Sequence, residues 1–181
     1  MLPDEVPVVK PEKIIIIGAS GSGKSTVARQ LSAWWDIPVV HLDKLSWKEG
    51  WIRASNEEFD SLVEQELAKD KWIMDGNFPR TLKRRMDACD TVIYLDYPLW
   101  FCIFRVLKRV IKNYGKPRPD MNPGCPEKFD PGFLKRIWNF NRERRDNYYR
   151  YIAEQKDTNI IILRNQKECD RFLASVRSEM K

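Results

Sequence analysis

The stretch IIIIGASGSGKSTVARQL, residues 14–31, sets four isoleucines against three glycines, a lysine and two hydroxyls. A short β-branched run bounded by glycine reads as a fully buried strand, and residues 23–34 after it read as a helix. Between them, Gly18 to Ser25 spell G-x-x-x-x-G-K-[ST] without adjustment. The residue types follow from what a phosphate chain demands. Backbone N–H groups must close around it, and Cβ atoms would hold the main chain away. Gly18, Gly21 and Gly23 permit positive-φ turns that curl the loop, with Ala19, Ser20 and Ser22, into an anion-binding nest. The helix beginning near Gly23 adds its positive end.

In such a loop Lys24 reaches the β- and γ-phosphates, Ser25 offers a hydroxyl to Mg²⁺, and Thr26 can touch the α-phosphate. Lys24 is expected to face solvent when no nucleotide is bound. A chance match in a chain this long should arise under roughly one time in a hundred. Here the motif also falls between a strand and a helix, so a nucleoside-triphosphate site is expected.

Strand and helix then alternate along the chain. IPVVHLD (37–43), KWIMD (71–75), DTVIYLD (90–96) and TNIIILR (158–164) read as further strands. Helices are expected from Ser55, a good N-cap, to about residue 70, over 99–113, over 132–154 and over 166–179. The strands are apolar runs, which marks a parallel sheet covered by helices on both faces. A loop rich in proline and glycine, YGKPRPDMNPGCPEKFDPG, occupies 114–132.

The totals are those of a globular chain with one sizeable core. Four cysteines without a CxxC pair favour free thiols in a reducing cytoplasm. No apolar run is long enough to cross a bilayer, and no membrane partner is expected. The net charge of +6 is concentrated. Arg105 to Arg150 holds 13 Lys or Arg against 5 Asp or Glu, an excess of 8. That window implies an anionic partner, either a small phosphate compound or nucleic acid.

In an open parallel sheet, ligands sit beyond the carboxyl ends of the strands. Asp43 and Asp75 should both point into that crevice. Asp43 can accept a proton from an attacking hydroxyl, and Asp75 can hold Mg²⁺ through water or orient an acceptor. Trp47, Trp51 and Phe78 can stack a planar substrate, or simply pack a flap. Asp96 reads more like a turn residue, and His41 as structural. GTPase base-reading motifs are missing from the sequence, so a small ATP-dependent phosphotransferase is the natural reading.

MDGNFPRTL (74–82) resembles the D-G-F-P-R element of adenylate kinases, with Asn77 inserted between Gly76 and Phe78. The likeness to adenylate-kinase-like nucleotide and nucleoside kinases implies a three-layer P-loop NTPase fold. Its five-stranded parallel sheet would run in the order 2-3-1-4-5, with helices on both faces and a short helical lid at about 112–133. Residues 1–12 would be an extension and 13–181 one domain. Asp75 would join Ser25 in the magnesium network, with Gly76, Phe78 and Arg80 beside the acceptor; the insertion changes the direction of Arg80. In FRVLKR, Arg105 would lie against the adenine and Arg109 near the phosphates. Arg118, Arg142, Arg144 and Arg145 would be lid-side arginines, Arg145 among the catalytic ones.

HLDKLSW (41–47), WIMDGNF (72–78), RPDMNPGCPEKFD (118–130) and FLKRIWNF (133–140) are similar to a bacterial group labelled DNA topology modulation proteins, regarded as adenylate-kinase-related. Three functions follow as expectations. The first is transfer of the γ-phosphate of Mg-ATP to a nucleoside or nucleotide. The others are an ATP-switched nucleic-acid-binding regulator and a kinase acting on polynucleotide ends.

Overall fold

Four consecutive isoleucines need cover on both sides of the strand that carries them. Ile14 to Ile17 are fully buried, in the central strand of the sheet, β1 (Lys13–Gly18). The computed structural model describes residues 10–179. Residues 1–9 of the expected extension lie outside the described residues, as do 180–181 and the side chain of Arg142.

In chain order the other strands are β2 (Val39–His41), a two-residue hairpin of β3 (Trp47–Lys48) and β4 (Ile52–Arg53), β5 (Trp72–Asp75), β6 (Thr91–Leu95) and β7 (Asn159–Leu163). The main sheet is parallel throughout, in the order β2-β5-β1-β6-β7. Leaving out the hairpin, this is the expected 2-3-1-4-5. Its register aligns His41 with Asp75, Asp75 with Ile16, and Gly18 with Leu95. The carboxyl ends of four strands therefore meet at one edge, beside the glycine-rich loop.

The helices are α1 (Lys24–Trp35), α2 (Leu42–Ser46), α3 (Asn56–Leu67), α4 (Pro79–Ala88), α5 (Leu99–Asn113), α6 (Pro131–Trp138), α7 (Asp146–Ala153) and α8 (Gln166–Ser178). Ser55 caps α3 by accepting the Glu58 N–H at 3.1 Å. Two elements escape a reading by apolar period. In α4 the hydrophobic positions reduce to Leu82 and Met86, and its clearest signal is Pro79 at the first turn. α2 is a single short turn directly after β2, and it carries Asp43.

The helix expected over 132–154 is broken. A five-residue π-helical turn, Asn141–Arg145, separates α6 from α7. Phe140 and Tyr148 are both buried, with ring centroids 5.7 Å apart. Eight positions apart, they would point roughly 80° from each other on a regular α-helix. The extra residue of a π-turn brings them onto one face.

Between α5 and α6 the chain forms an irregular loop rather than the helical lid expected there. Pro117, Pro119, Pro123 and Pro126 remove the amide donors a helix needs. The loop is seated on residues 44–51. Asn122 Nδ2 donates to the carbonyls of Lys44 (2.8 Å) and Trp47, Cys125 Sγ to Lys48 O (3.2 Å), and Trp51 Nε1 to Pro126 O (3.2 Å).

Candidate active site

The loop between β1 and α1 has the shape its glycines allow. Gly21 has φ of 92°, and a Cβ there would meet the Cys102 carbonyl oxygen of α5 at 2.3 Å. Gly18 has φ of 143°, and a Cβ would sit 2.5 Å from Leu95 O. The loop is thus pressed between β6 and α5. No side chain caps the start of α1, and its first turn holds no acidic residue. Its free amides and positive end are open to an anion.

Lys24 departs from expectation. Rather than facing solvent, it folds back so that Nζ donates to Gly18 O at 2.9 Å and Ala19 O at 3.1 Å. An ammonium with no phosphate to bond takes the nearest carbonyls. Burial pushes its pKa down, while Asp75 and Asp43 hold it up.

The carboxylates around it have distinct partners. Asp75 is buried, with Oδ1 2.6 Å from His41 Nδ1. In α2, burial raises the pKa of Asp43, against the pull of Arg118 and Lys24. Ser25 Oγ donates to Asp120 Oδ2 at 3.3 Å, a contact reaching across from the proline-rich loop. Arg118 joins Asp120 (3.0 Å) to Glu127 (3.0 Å), and Glu127 also holds Arg109 at 3.1 Å. Burial works against the charge of Asp120, but Arg118, a backbone amide and the nearby His41 and Arg29 together keep the carboxyl below its usual range.

A cavity of about 1030 Å³ opens over the loop. Of the residues singled out from the sequence, Ser20, Gly21, Gly23, Lys24, Ser25, Thr26, Asp43, Trp47, Trp51, Asp75, Gly76, Arg105, Arg109 and Arg118 line it. Gly18, Ala19 and Ser22 form the loop behind them. At one end Arg105 lies beside Gly23, 5.5 Å over the Phe101 ring, with Nη1 donating to Gln166 at 2.8 Å. At the other end Trp47 and Trp51 stand edge to face, centroids 5.5 Å apart, near Asp43 and Lys128.

Four predicted residues are absent from the lining: Arg144, on the π-turn, and three whose partners lie elsewhere. Phe78 packs on Phe59, centroids 4.8 Å apart. Arg80 pairs with Asp60 of α3 at 3.0 Å. The reason lies in Asn77, whose Nδ2 donates to Gly18 O at 2.9 Å and whose Oδ1 accepts the Gly18 N–H at 3.1 Å. The additional residue is spent on bridging β5 to the loop, so the chain leaves in a new direction.

Arg145 is the third, lying outside the cavity with its guanidinium on Asp96 at 2.8 Å, where Tyr149 Oη also donates at 2.7 Å. Arg145 ends the π-turn and Tyr149 lies one turn further on, in α7. Asp96 is therefore the anchor of a structural cluster. Arg145→Met is expected to leave nucleotide affinity within twofold and to lower stability by about 1–2 kcal/mol, because Arg145 is itself half-exposed. Urea unfolding alongside a nucleotide titration would check it; a large loss of affinity at unchanged stability would return Arg145 to the site.

Asp120, Glu127 and Arg85 have no reading in the sequence, where Asn77 shows only as an insertion. Asp120 and Glu127 stand in RPDMNPGCPEKFD, where Arg118 carries the stronger signal for an anion site. Acids that neutralise arginines carry no signal of their own until the loop is seen to dock.

The chain has the P-loop NTPase fold, an α/β architecture with a five-stranded parallel sheet flanked by helices. Among solved structures it is similar to shikimate kinase from Acinetobacter baumannii in complex with shikimate, with a TM-score of 0.60. The alignment covers 94% of this chain and 93% of that one at 14% sequence identity. Identity this low carries the fold alone. No family model and no curated protein matches the chain.

A nucleoside triphosphate fits the uncapped amides, the lysine and the adjoining cavity. Mg²⁺ suits the oxygen donors Ser25 and Asp75. Among the described residues no group of three or more His, Cys, Asp or Glu could hold a metal ion. Mg²⁺ is bound through few protein oxygens together with phosphates and water.

Proposed function

We propose that this chain transfers the γ-phosphate of Mg-ATP to a hydroxyl of a small acceptor, of the nucleoside or nucleotide class. The observation that carries the reading is the single cavity joining Lys24 and Ser25 to Asp43 and Trp47. One end suits a base and triphosphate, and the other supplies a carboxylate with aromatic walls. The solved neighbour's complex with shikimate supports an acceptor of small-molecule size.

In this reading the loop amides and Lys24 hold the triphosphate, and Arg105 with Phe101 bounds the adenine. Asp43 accepts the hydroxyl proton as the acceptor attacks. Ser25 and Asp75 would hold Mg²⁺, which would supply positive charge beside the phosphates. Arg109 and Arg118 lie where negative charge spreads over the transferred group. The proline-rich loop is the lid, excluding water that would otherwise hydrolyse ATP.

Nucleic-acid binding, the other reading suggested by the likeness to DNA topology modulation proteins, draws less support. Arg105, Arg109 and Arg118 of the basic window line the cavity, rather than forming an outward stripe. A panel of nucleosides, nucleotides and short oligonucleotides, scored for ADP formed in step with phosphorylated product, tests the proposal. An inactive panel with ATP still bound would overturn it.

Asp43→Asn is expected to lower kcat by about 10²–10⁴-fold with little change in ATP affinity. Equal loss of both would move Asp43 to the nucleotide side. The pH profile gives a second check. A base works deprotonated, and burial raises the pKa of Asp43. The rising limb of kcat/KM should therefore lie above the ordinary carboxylate range and flatten in Asp43→Asn. A limb at the ordinary position would remove Asp43 from the role.

A further inference from the structure

We propose that Asp120, carried by the loop between α5 and α6, accepts the Ser25 hydroxyl proton when that oxygen ligates Mg²⁺, so that metal binding and loop docking become one event. The inference rests on the nucleotide-binding reading above and deepens it.

A serine hydroxyl that gives a lone pair to a cation must send its proton to an acceptor elsewhere. A carboxylate at the end of a sheet strand would serve that purpose whether or not any loop closed. Here Asp75 Oδ1 is committed to His41 at 2.6 Å. The oxygen that receives the Ser25 hydroxyl is Asp120 Oδ2 at 3.3 Å, from a residue 95 positions away. Asp120 is 8% exposed, and Arg118 Nη1 donates to the same Oδ2 at 3.0 Å. Arg118 is tied through Glu127 to Arg109 on α5.

A continuous line of charged contacts thus runs from Ser25 through Asp120, Arg118 and Glu127 to Arg109. Its middle members ride on the loop seated against residues 44–51, the segment that includes Trp47 and Trp51. Asp120 reaches Ser25 only with the loop in that seat. Metal affinity should therefore report loop docking, and the loop should tighten when metal arrives.

Mn²⁺ is the probe, titrated by electron paramagnetic resonance into the full chain with ATP, while ATP binding without metal is measured calorimetrically in EDTA. Outer-shell partners of metal ligands usually contribute 10–100-fold in affinity. Asp120→Asn should weaken Mn²⁺ by that factor, leave metal-free ATP affinity within twofold, and show no further loss when combined with Ser25→Ala. Wild-type Mn²⁺ affinity in Asp120→Asn, or tighter binding, overturns the proposal.

A measurement on the unmodified protein covers the case of a variant that does not fold. Trypsin cleavage after Lys128 should slow at least fivefold with Mn-ATP relative to ATP in EDTA; equal protection by both overturns the proposal. Normal ATP uptake with failure of these tests removes this inference alone. A wild-type chain that takes up no ATP removes the underlying reading with it.

Discussion

Lys24→Met should lower phosphoryl transfer by at least about 10²–10³-fold while the fold survives. The ammonium donates to two carbonyls of the loop, Gly18 O and Ala19 O. Both contacts are made within one short turn of chain and exchange readily for phosphate oxygens. Inside a cavity that sheds water, a fixed positive charge acts far more strongly on the transferring group than it would in solvent. Methionine keeps much of the stem's packing and removes the charge.

The stability effect is small because two terms oppose. About 1 kcal/mol is lost for each carbonyl contact, and a burial penalty that already depresses the lysine pKa is relieved. The midpoint of thermal unfolding should move by under about 4 °C. ADP release and a melting curve on the same preparation decide the matter. Turnover near wild type, with a normal melt, would mean that the loop does not present a γ-phosphate.

Arg85→Leu should have the largest effect on stability, about 3–5 kcal/mol, or roughly 10 °C or more in the melting midpoint. Arg85 is fully buried in α4. Nη1 donates to Gly76 O at 3.1 Å, Nη2 to the carbonyls of Asn77 and of Phe78 (3.2 Å), and Nε to Thr81 Oγ1 at 3.1 Å. Every acceptor is neutral, and burial lowers its pKa to about 10. The guanidinium holds three successive carbonyls of the turn after β5. Phe78 in that turn has φ of 31°, a left-handed conformation that a side chain rarely adopts.

Leucine would remove the donors to the Gly76 and Asn77 carbonyls, leave Phe78 O with Thr81 alone, and release the strained residue. Asp75 and Asn77 sit on the same turn, so kcat should fall as well. Arg85→Lys, with one donor group in place of a planar fork, should recover only part of the stability. If urea unfolding places Arg85→Leu within 1 kcal/mol of wild type, the turn is held by something else.

Much of the framework was legible because its signals are local. The isoleucine run, the glycine spacing from 18 to 25 and the Ser55 cap each act within a few residues. The alternation of apolar strands with helices followed the same logic. What escaped were elements whose period is weak or mixed. α4 buries an arginine where an apolar residue would be sought, and the π-turn at 141–145 shifts a helical phase that the sequence otherwise continues. The site was legible where the motif is contiguous. Arg80, Phe78 and Arg145 were placed by analogy of position, and Asn77 and Asp96 redirect them in this chain.

The sequence by itself determined a buried parallel sheet, a phosphate-shaped turn at its centre and a basic window downstream, since backbone conformation and burial pattern answer to neighbours along the chain. Only the tertiary structure decided which polar and charged groups meet: Asp120 with Ser25 across 95 residues, Asn77 with Gly18 across 59, Arg145 with Asp96 across 49. Charge pairing in a buried cleft depends on distance in space and on lost solvent. Neither is set until the loop between α5 and α6 has settled on residues 44–51.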